Sequence, residues 1–464
     1  MFGYRHRLLG GKSRLKARRI NIPQSPVELF LGLHEHYDYV FLLESMDGAR
    51  RIARYSFVGF APELTVTVKN GVATLRNTEG DVLRKNVRDP LSLVKKVTGK
   101  VTGRLTGGGR FIGGSVGYVS YDTVRYWEKL PDASVDDTSF PDLQVGVYSN
   151  LVVFDHISGE VFYICKEGSA PGEVERLVEA YEPGSLSFTE PKSNMSRERY
   201  EELVEKAKGY IESGDVFQVV LSRRYDLNVK GDLTRFYMAL RSLNPSPYMY
   251  FLKMGKRMII GSSPETLVRV EGRTVETFPI AGTRAMTGRA DEDDASAKEL
   301  LSDPKERAEH VMLVDLARND IGKVSRFGSV HVPEFMTVHR YSYVQHIVSR
   351  VAGELRDGCD CYDAMKAAFP AGTVSGAPKV RAMEIIEELE PSRRGAYAGG
   401  VGYFSFNGNM DFAITIRTLV AEGGRCTVQV GAGVVADSIP EREWLETEYK
   451  AKALMRALEL AEGS

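Results

Sequence analysis

Two stretches of this 464-residue chain carry paired carboxylates at a spacing that places them on one helix face. Glu306 and Glu309 are three apart, and Leu313 and Leu316 continue the same stripe. A carboxylate on an apolar stripe is costly to bury unless it is paired or holds a metal. Glu443 and Glu446 repeat the arrangement near the C-terminus, on a face shared with Lys450 and Ala453. Each pair also has a structural reading. Asp303-Pro304-Lys305-Glu306 reads as an N-cap, a proline at the first helical position and an acid that can close a capping box. Glu446 and Lys450 have the i,i+4 spacing of a solvated ion pair. Two Glu-x-x-Glu pairs without His or Cys partners nevertheless suit a hard cation. Mg²⁺ takes one or two carboxylates and completes its shell with water and substrate oxygens.

Three further residues suit a small polyanion. Arg417 lies in Ala413–Val420, which reads as a single buried strand, where an arginine needs an anionic partner such as a carboxylate. Thr373 opens the run to Lys379, ahead of a helix, where free N–H groups and hydroxyls can receive a carboxylate. His346 sits in an apolar strand, where a histidine is more often structural than catalytic. None is decisive alone. Together they favour a polyanionic substrate with a divalent cation.

The elements that must position these groups follow from the pattern of apolar residues. Short strands are expected at Tyr39–Glu44, Glu63–Lys69, Val72–Arg76, Ser115–Ser120 and Asn150–Phe154, with a hairpin over Val147–Ile164. A helix is expected over Gly172–Tyr181. Glu182–Asn194, with two prolines, three serines and a glycine, reads as a linker. Ser196 should cap a helix that Gly214 ends, and Val216–Leu227 should be a strand. Leu300–Ile321 and Glu441–Ala461 are expected as long helices. Tyr397–Val435 should form three strands, with a type I′ turn at Asn407-Gly408 and a second turn at Gly423-Gly424. Antiparallel runs separated by helices indicate an α+β fold.

Hydrophobic residues make up 43% and charged residues 27%, which excludes wholesale disorder. Lys and Arg number 61 against 62 Asp and Glu. That balance argues against a nucleic-acid or membrane-surface partner. No apolar run approaches the ~18 residues of a membrane helix. Four cysteines make no disulfide framework and no zinc site, so reduced thiols in a cytoplasmic protein are expected. Residues 1–20 are basic, with seven cations from Arg5 to Arg19, and read as a solvated arm. Residues 21–190 and 191–464 are then two domains.

Leu42–Ser45, Asn244–Met249, Gly261–Glu265, Pro279–Arg284, Glu306–Asp320, Phe369–Lys379, Asp411–Thr418 and Gly431–Lys450 form an ordered series of blocks. In these the chain resembles the synthase subunit of anthranilate synthase, among the chorismate-utilising enzymes, from about Leu42 to the C-terminus. The resemblance implies two antiparallel β-sheets packed face to face and flanked by helices, with residues 191–464 catalytic and 21–190 an N-terminal α+β regulatory domain. It implies Mg²⁺ on Glu306, Glu309, Glu443 and Glu446. Chorismate contacts map onto Gly282, Thr283, Thr373, Tyr397, Arg417, Gly431, Gly433 and Lys450, the catalytic histidine onto His346 and the acid for the leaving group onto Glu265. A feedback site for L-tryptophan maps onto Glu44, Ser45, Pro247, Tyr248, Met249, Val401 and Tyr403.

Two positions separate the relatives. Isochorismate- and salicylate-forming enzymes place a lysine base where Gln218 stands, and a neutral amide cannot activate water, whereas ammonia needs little base assistance. Common aminodeoxychorismate synthases carry a nucleophilic lysine where Ala281 stands, so that covalent route is closed here. Both departures favour direct amination of chorismate, giving anthranilate and pyruvate. The chain has no evident glutaminase, so a glutamine amidotransferase partner in a hetero-oligomer is expected. Aminodeoxychorismate synthase component I and a non-catalytic regulatory paralogue remain alternatives.

Overall fold

The computed structural model describes residues 15–46, 54–100, 109–167, 181–341 and 344–463. Among them the strands form two large sheets in which all the strand pairing is antiparallel. The first runs Leu15–Ile20, Glu160–Lys166, Leu151–Asp155, Tyr55–Phe60, Tyr39–Glu44, Tyr248–Met254, Arg257–Ser263, Thr418–Glu422, Arg425–Val434, Gln218–Gly231 and Leu186–Phe188. The second runs Ile280–Ala285, Val344–Glu354, Thr274–Thr277, Thr266–Glu271, Met410–Ile414, Gly400–Ser405, Gly114–Val119, Leu143–Tyr148, Leu64–Lys69, Val72–Asn77 and Val82–Asn86.

Period-two side-chain alternation builds the layers. Phe41 turns inward with Phe57, Tyr250 and Ile259 to meet Val66, Tyr118, Val268 and Phe412 of the opposite sheet. Val40 and Leu42 turn outward, under Leu29, Phe30, Tyr237, Leu240, Leu454 and Leu458 of three covering helices. The expected α+β sandwich is therefore present. Both sheets nevertheless run through the boundary at 190. Tyr39–Glu44 pairs with Tyr248–Met254, and Gly114–Val119 pairs with Gly400–Ser405. The two halves of the sequence share their sheets.

Several local expectations change. Of the arm expected over residues 1–20, Leu15–Ile20 is an edge strand on Glu160–Lys166, because Leu15 and Ala17 pack on the core between the sheets while the cations face out, and residues 1–14 lie outside the described residues. The linker contains two short strands, Leu186–Phe188 and Lys192–Ser193, on the long Gln218–Gly231 strand. The hairpin covers only Leu151–Lys166, since Val147 belongs to the other sheet. The Leu300–Ile321 stretch is two helices, Ala290–Ser302 and Pro304–Gly322. Pro304 has no N–H to continue the first, and Asp303 caps the second. At Asn407-Gly408 only Gly408 has a positive φ, so that turn is not type I′. Gly423 and Gly424 both have positive φ between paired Glu422 and Arg425, and form the two-residue turn. Residues 172–180 of the expected Gly172–Tyr181 helix lie outside the described residues.

Candidate active site

The site forms where a two-stranded ribbon passes from one sheet to the other. Arg257–Ser263 and Thr418–Glu422 pair in the first sheet, while their continuations Thr266–Glu271 and Met410–Ile414 pair in the second. The crossings are pinned by Ser262 N–H to the Arg417 carbonyl (3.1 Å) and Ile414 N–H to the Glu265 carbonyl (3.0 Å). Glu265 and Arg417 occupy the two bends. Arg417 is thus not in the middle of a strand as expected. It has φ +49° at a sheet-switching corner, which turns its side chain into the site.

Burial pushes the Glu265 carboxyl up to about 8, against the opposing pull of Thr373, Lys450 and Arg417. The Thr373 hydroxyl donates to Glu265 Oε1 at 2.9 Å. At neutral pH this group is predominantly the protonated acid. Lys450 Nζ donates to the Gly431 carbonyl at 2.8 Å and also pairs with Glu446 at 2.7 Å, so the i,i+4 reading of that pair is correct. Two glycines of the Arg425–Val434 strand lie close against these groups. A Cβ on Gly431 would lie 2.6 Å from the Tyr397 hydroxyl, and one on Gly433 would lie 2.5 Å from Gln218 Nε2.

His346 stands on the Val344–Glu354 strand opposite Thr283. Its Nδ1 lies 2.9 Å from the Gly282 carbonyl and 3.1 Å from Thr283 Oγ1. A carbonyl partner requires the proton on Nδ1 and leaves Nε2 as the acceptor. Burial lowers its pKa to about 4, so the ring is neutral at pH 7. Gly282 presents its carbonyl from a bulge at φ +63°, where a Cβ would also meet Leu300.

The four glutamates lie beyond this. Burial and the neighbouring Glu306 and Glu446 raise Glu309 above the ordinary carboxylate range, which brings the two Glu-x-x-Glu helices together electrostatically. Burial and Glu446 likewise raise Glu443, whose Oε2 is buried without a partner. Glu306 does not close a capping box. It pairs with Arg284 at 3.3 Å, a role the sequence reading left unassigned. Gln218 Nε2 donates to Glu309 at 3.3 Å, and its Oε1 is buried and unpartnered. Among the described residues no three His, Cys, Asp or Glu side chains converge into a preassembled cage. Mutually repelling carboxylates with an orphaned oxygen still fit a divalent cation that takes one or two of them and water.

Glu44, Ser45, Pro247, Tyr248, Met249, Val401 and Tyr403 line one cavity of about 50 Å³, room for a water or two. Glu44 is not available to a ligand. It pairs with Arg241 at 3.0 Å and accepts from the Tyr237 hydroxyl at 2.7 Å, two partners the sequence reading did not find because they sit on a distant helix. Ser45 donates to the Pro247 carbonyl at 2.7 Å. Tyr248 connects this cavity to the site through Thr266, the neighbour of Glu265, at 2.7 Å.

The chorismate binding enzyme family model matches residues 39–456. The chain belongs to this family. It is 48% identical over 439 residues to anthranilate synthase component 1 of Methanothermobacter marburgensis, with 94% of each chain covered. It is 44% identical over 456 residues to aminodeoxychorismate synthase component 1 of Bacillus subtilis, covering 94% of this chain and 95% of that protein. The crystal structure of anthranilate synthase component I from Streptococcus pneumoniae superposes with a TM-score of 0.77 at 39% identity, covering 87% of this chain and 92% of that one. The family and the sandwich expected from the sequence blocks agree with these likenesses. No described helix is long and apolar enough to cross a membrane.

Proposed function

We propose that this chain is the synthase subunit of an anthranilate synthase, converting chorismate and ammonia to anthranilate and pyruvate. The observation that carries this reading is the pairing of a protonated buried acid, Glu265, with a neutral histidine, His346, across a site floored by Arg417 and Lys450. Arg417 and Lys450 bind substrate carboxylates, and Thr373 orients Glu265. Ammonia adds at C2, the C4–O bond breaks, and Glu265 gives its proton to the departing hydroxyl as water. The free Oε1 of Gln218 accepts from an ammonia N–H and aims its lone pair. His346 Nε2 then takes the C2 proton as the bond from ring C3 to the enolpyruvyl oxygen breaks, and the released enolate takes up a proton at its methylene carbon to become pyruvate.

Glu306, Glu309, Glu443 and Glu446 would hold Mg²⁺, which supplies charge neutralisation at a substrate carboxylate. Ammonia would come from a glutamine amidotransferase partner, and the assembly would work in the cytoplasm. L-tryptophan would bind in the cavity at Ser45, its ammonium taken by the carbonyls beside Ser45 and Pro247 rather than by Glu44. Tyr248 and Met249 would have to move apart for the indole, and that movement would reach Glu265 through Thr266.

The Bacillus subtilis relative favours one alternative, an aminodeoxychorismate synthase, which stops before pyruvate is released. A non-catalytic regulatory paralogue is disfavoured, because such a subunit gains nothing from buried carboxylates that repel each other. Incubation with chorismate, ammonium and Mg²⁺, following anthranilate fluorescence and pyruvate together, tests the proposal. Equimolar anthranilate and pyruvate are expected. An aminated product without pyruvate would support the alternative.

A further inference from the structure

Arg394 lies outside the chemistry, yet its hydrogen bonds run to several elements of the site. Its side chain is 1% exposed and that of Glu390 is 3% exposed. The pair is bidentate, with Nε to Oε2 at 2.9 Å and a terminal nitrogen to Oε1 at 2.6 Å. The remaining donors leave the pair in two directions. One reaches the Val374 carbonyl at 2.7 Å, immediately after Thr373. The other reaches the Val220 carbonyl at 2.7 Å, two residues beyond Gln218 on the same strand. The guanidinium also lies 5.6 Å from the centre of the Tyr397 ring.

Glu390 extends the arrangement to the other wall. It accepts from Ser222 N–H at 2.7 Å and from its hydroxyl at 2.9 Å. That hydroxyl in turn accepts from Gln429 at 2.8 Å. Ser222 stands opposite Gly431, and Val220 opposite Gly433. The turn carrying Thr373, the strand carrying Gln218, the strand carrying Gly431 and Gly433, and the ring of Tyr397 therefore meet at one ion pair.

We propose that Arg394, locked to Glu390, is a positioning residue that sets Thr373, Tyr397 and the Gln218 and Gly431 strands at a fixed separation around the substrate. This rests on the reading of that site as the chorismate site. Burying an ion pair brings little net stability over apolar packing, so its value here is geometric. Only a planar fork can hold one carboxylate bidentately and two diverging carbonyls at once. A lysine has the charge without the fork.

Arg394→Lys in the full chain, assayed with chorismate, ammonium and Mg²⁺, tests this. KM for chorismate should rise about tenfold to a hundredfold, as expected for sub-ångström displacement of binding groups. The pH profile supplies a second readout. Glu265 is faced by the Thr373 hydroxyl, the Ile280 amide, Arg417 and Lys450, all of which favour its charged form. Freeing Val374 releases Thr373 and removes one of these, so the alkaline limb of turnover, near pH 8 in the wild type, should move to higher pH. Thr373→Val should move it the same way, and the double variant no further. A merely stabilising role would lower the melting temperature and the active fraction while leaving KM and the limb in place; that result overturns the proposal. Should Arg394→Lys fail to fold, Glu390→Asp, which keeps the charge and shortens the reach, should give the same changes in smaller measure, and unchanged values there also overturn it. A wild type that forms no anthranilate fails the functional reading instead, and chorismate binding by calorimetry then decides the positioning claim on its own.

Discussion

Two regions of this molecule bury carboxylates, and they do so in opposite ways. At the cavity beside Ser45, Glu44 is 5% exposed and fully partnered by Arg241 and Tyr237. At the two Glu-x-x-Glu helices, Glu443 is 8% exposed with one oxygen lacking any partner, and Glu309 faces Glu306 and Glu446. The first arrangement is complete as it stands. The second leaves negative charge that the proposed cation would balance. A buried charge therefore marks a ligand site where its partners are missing, and a structural clasp where they are present.

The largest effect expected from breaking the active-site region is at Glu265. Glu265→Gln removes the proton for the leaving hydroxyl and should lower kcat about 10²- to 10⁴-fold. In the wild type the acid must be protonated, so activity should be lost as pH rises through about 8. A rate that stays flat to pH 9.5 would remove Glu265 from the role.

Glu309→Gln and Glu443→Gln should each lower Mg²⁺-dependent turnover about a hundredfold or more. The comparison sharpens in their stability. The folded-state pKa of each is raised, so the charged form destabilises the metal-free protein increasingly as pH rises above the ordinary carboxylate range. Glu443→Gln should thus raise the metal-free melting temperature at pH 7. Glu44→Gln should lower it, through a loss of about 1–3 kcal/mol of stability, because Arg241 loses its partner in a partly buried setting. Scanning calorimetry of both variants checks the opposite signs.

His346→Met should accumulate the aminated intermediate, visible by chromatography, because a neutral base is lost after amination. Anthranilate formation at the wild-type rate would exclude the histidine. The smallest effect on basal turnover is expected from Ser45→Phe. It should keep most activity and escape inhibition by L-tryptophan, since its ring blocks the entry that the effector would use beside Pro247. Equal sensitivity in both proteins would place the effector elsewhere.

Much of this was legible in the sequence. The carboxylate pairs, the strand of His346 and the Asp303 cap follow from local spacing, and the C-terminal covering helix from periodicity, whereas the covering helices Pro26–His36 and Thr234–Leu243 were not expected. Arg417 was legible as a buried cation needing an anion, but its place at a sheet-switching corner was not, because Ala413–Val420 contains no glycine, proline, Asn or Asp to mark a bend. Glu44 illustrates the other limit. Its partners lie 193 and 197 residues away, and no spacing rule connects them. The continuous sheets across residue 190 were hidden for the same reason, since strand pairing between distant segments leaves no local signature. The resemblance supplied Glu265 and Gln218, which composition and spacing alone pass over.

The claim that unpartnered carboxylates mark the cation site is tested most directly by titrating Mg²⁺ calorimetrically into wild type, Glu443→Gln and Glu44→Gln, each saturated with chorismate and free of ammonium. Binding to wild type and Glu44→Gln with similar affinity, and at least about tenfold weaker binding to Glu443→Gln, is the predicted result. Undiminished binding to Glu443→Gln, or its loss in a folded Glu44→Gln, would contradict the account.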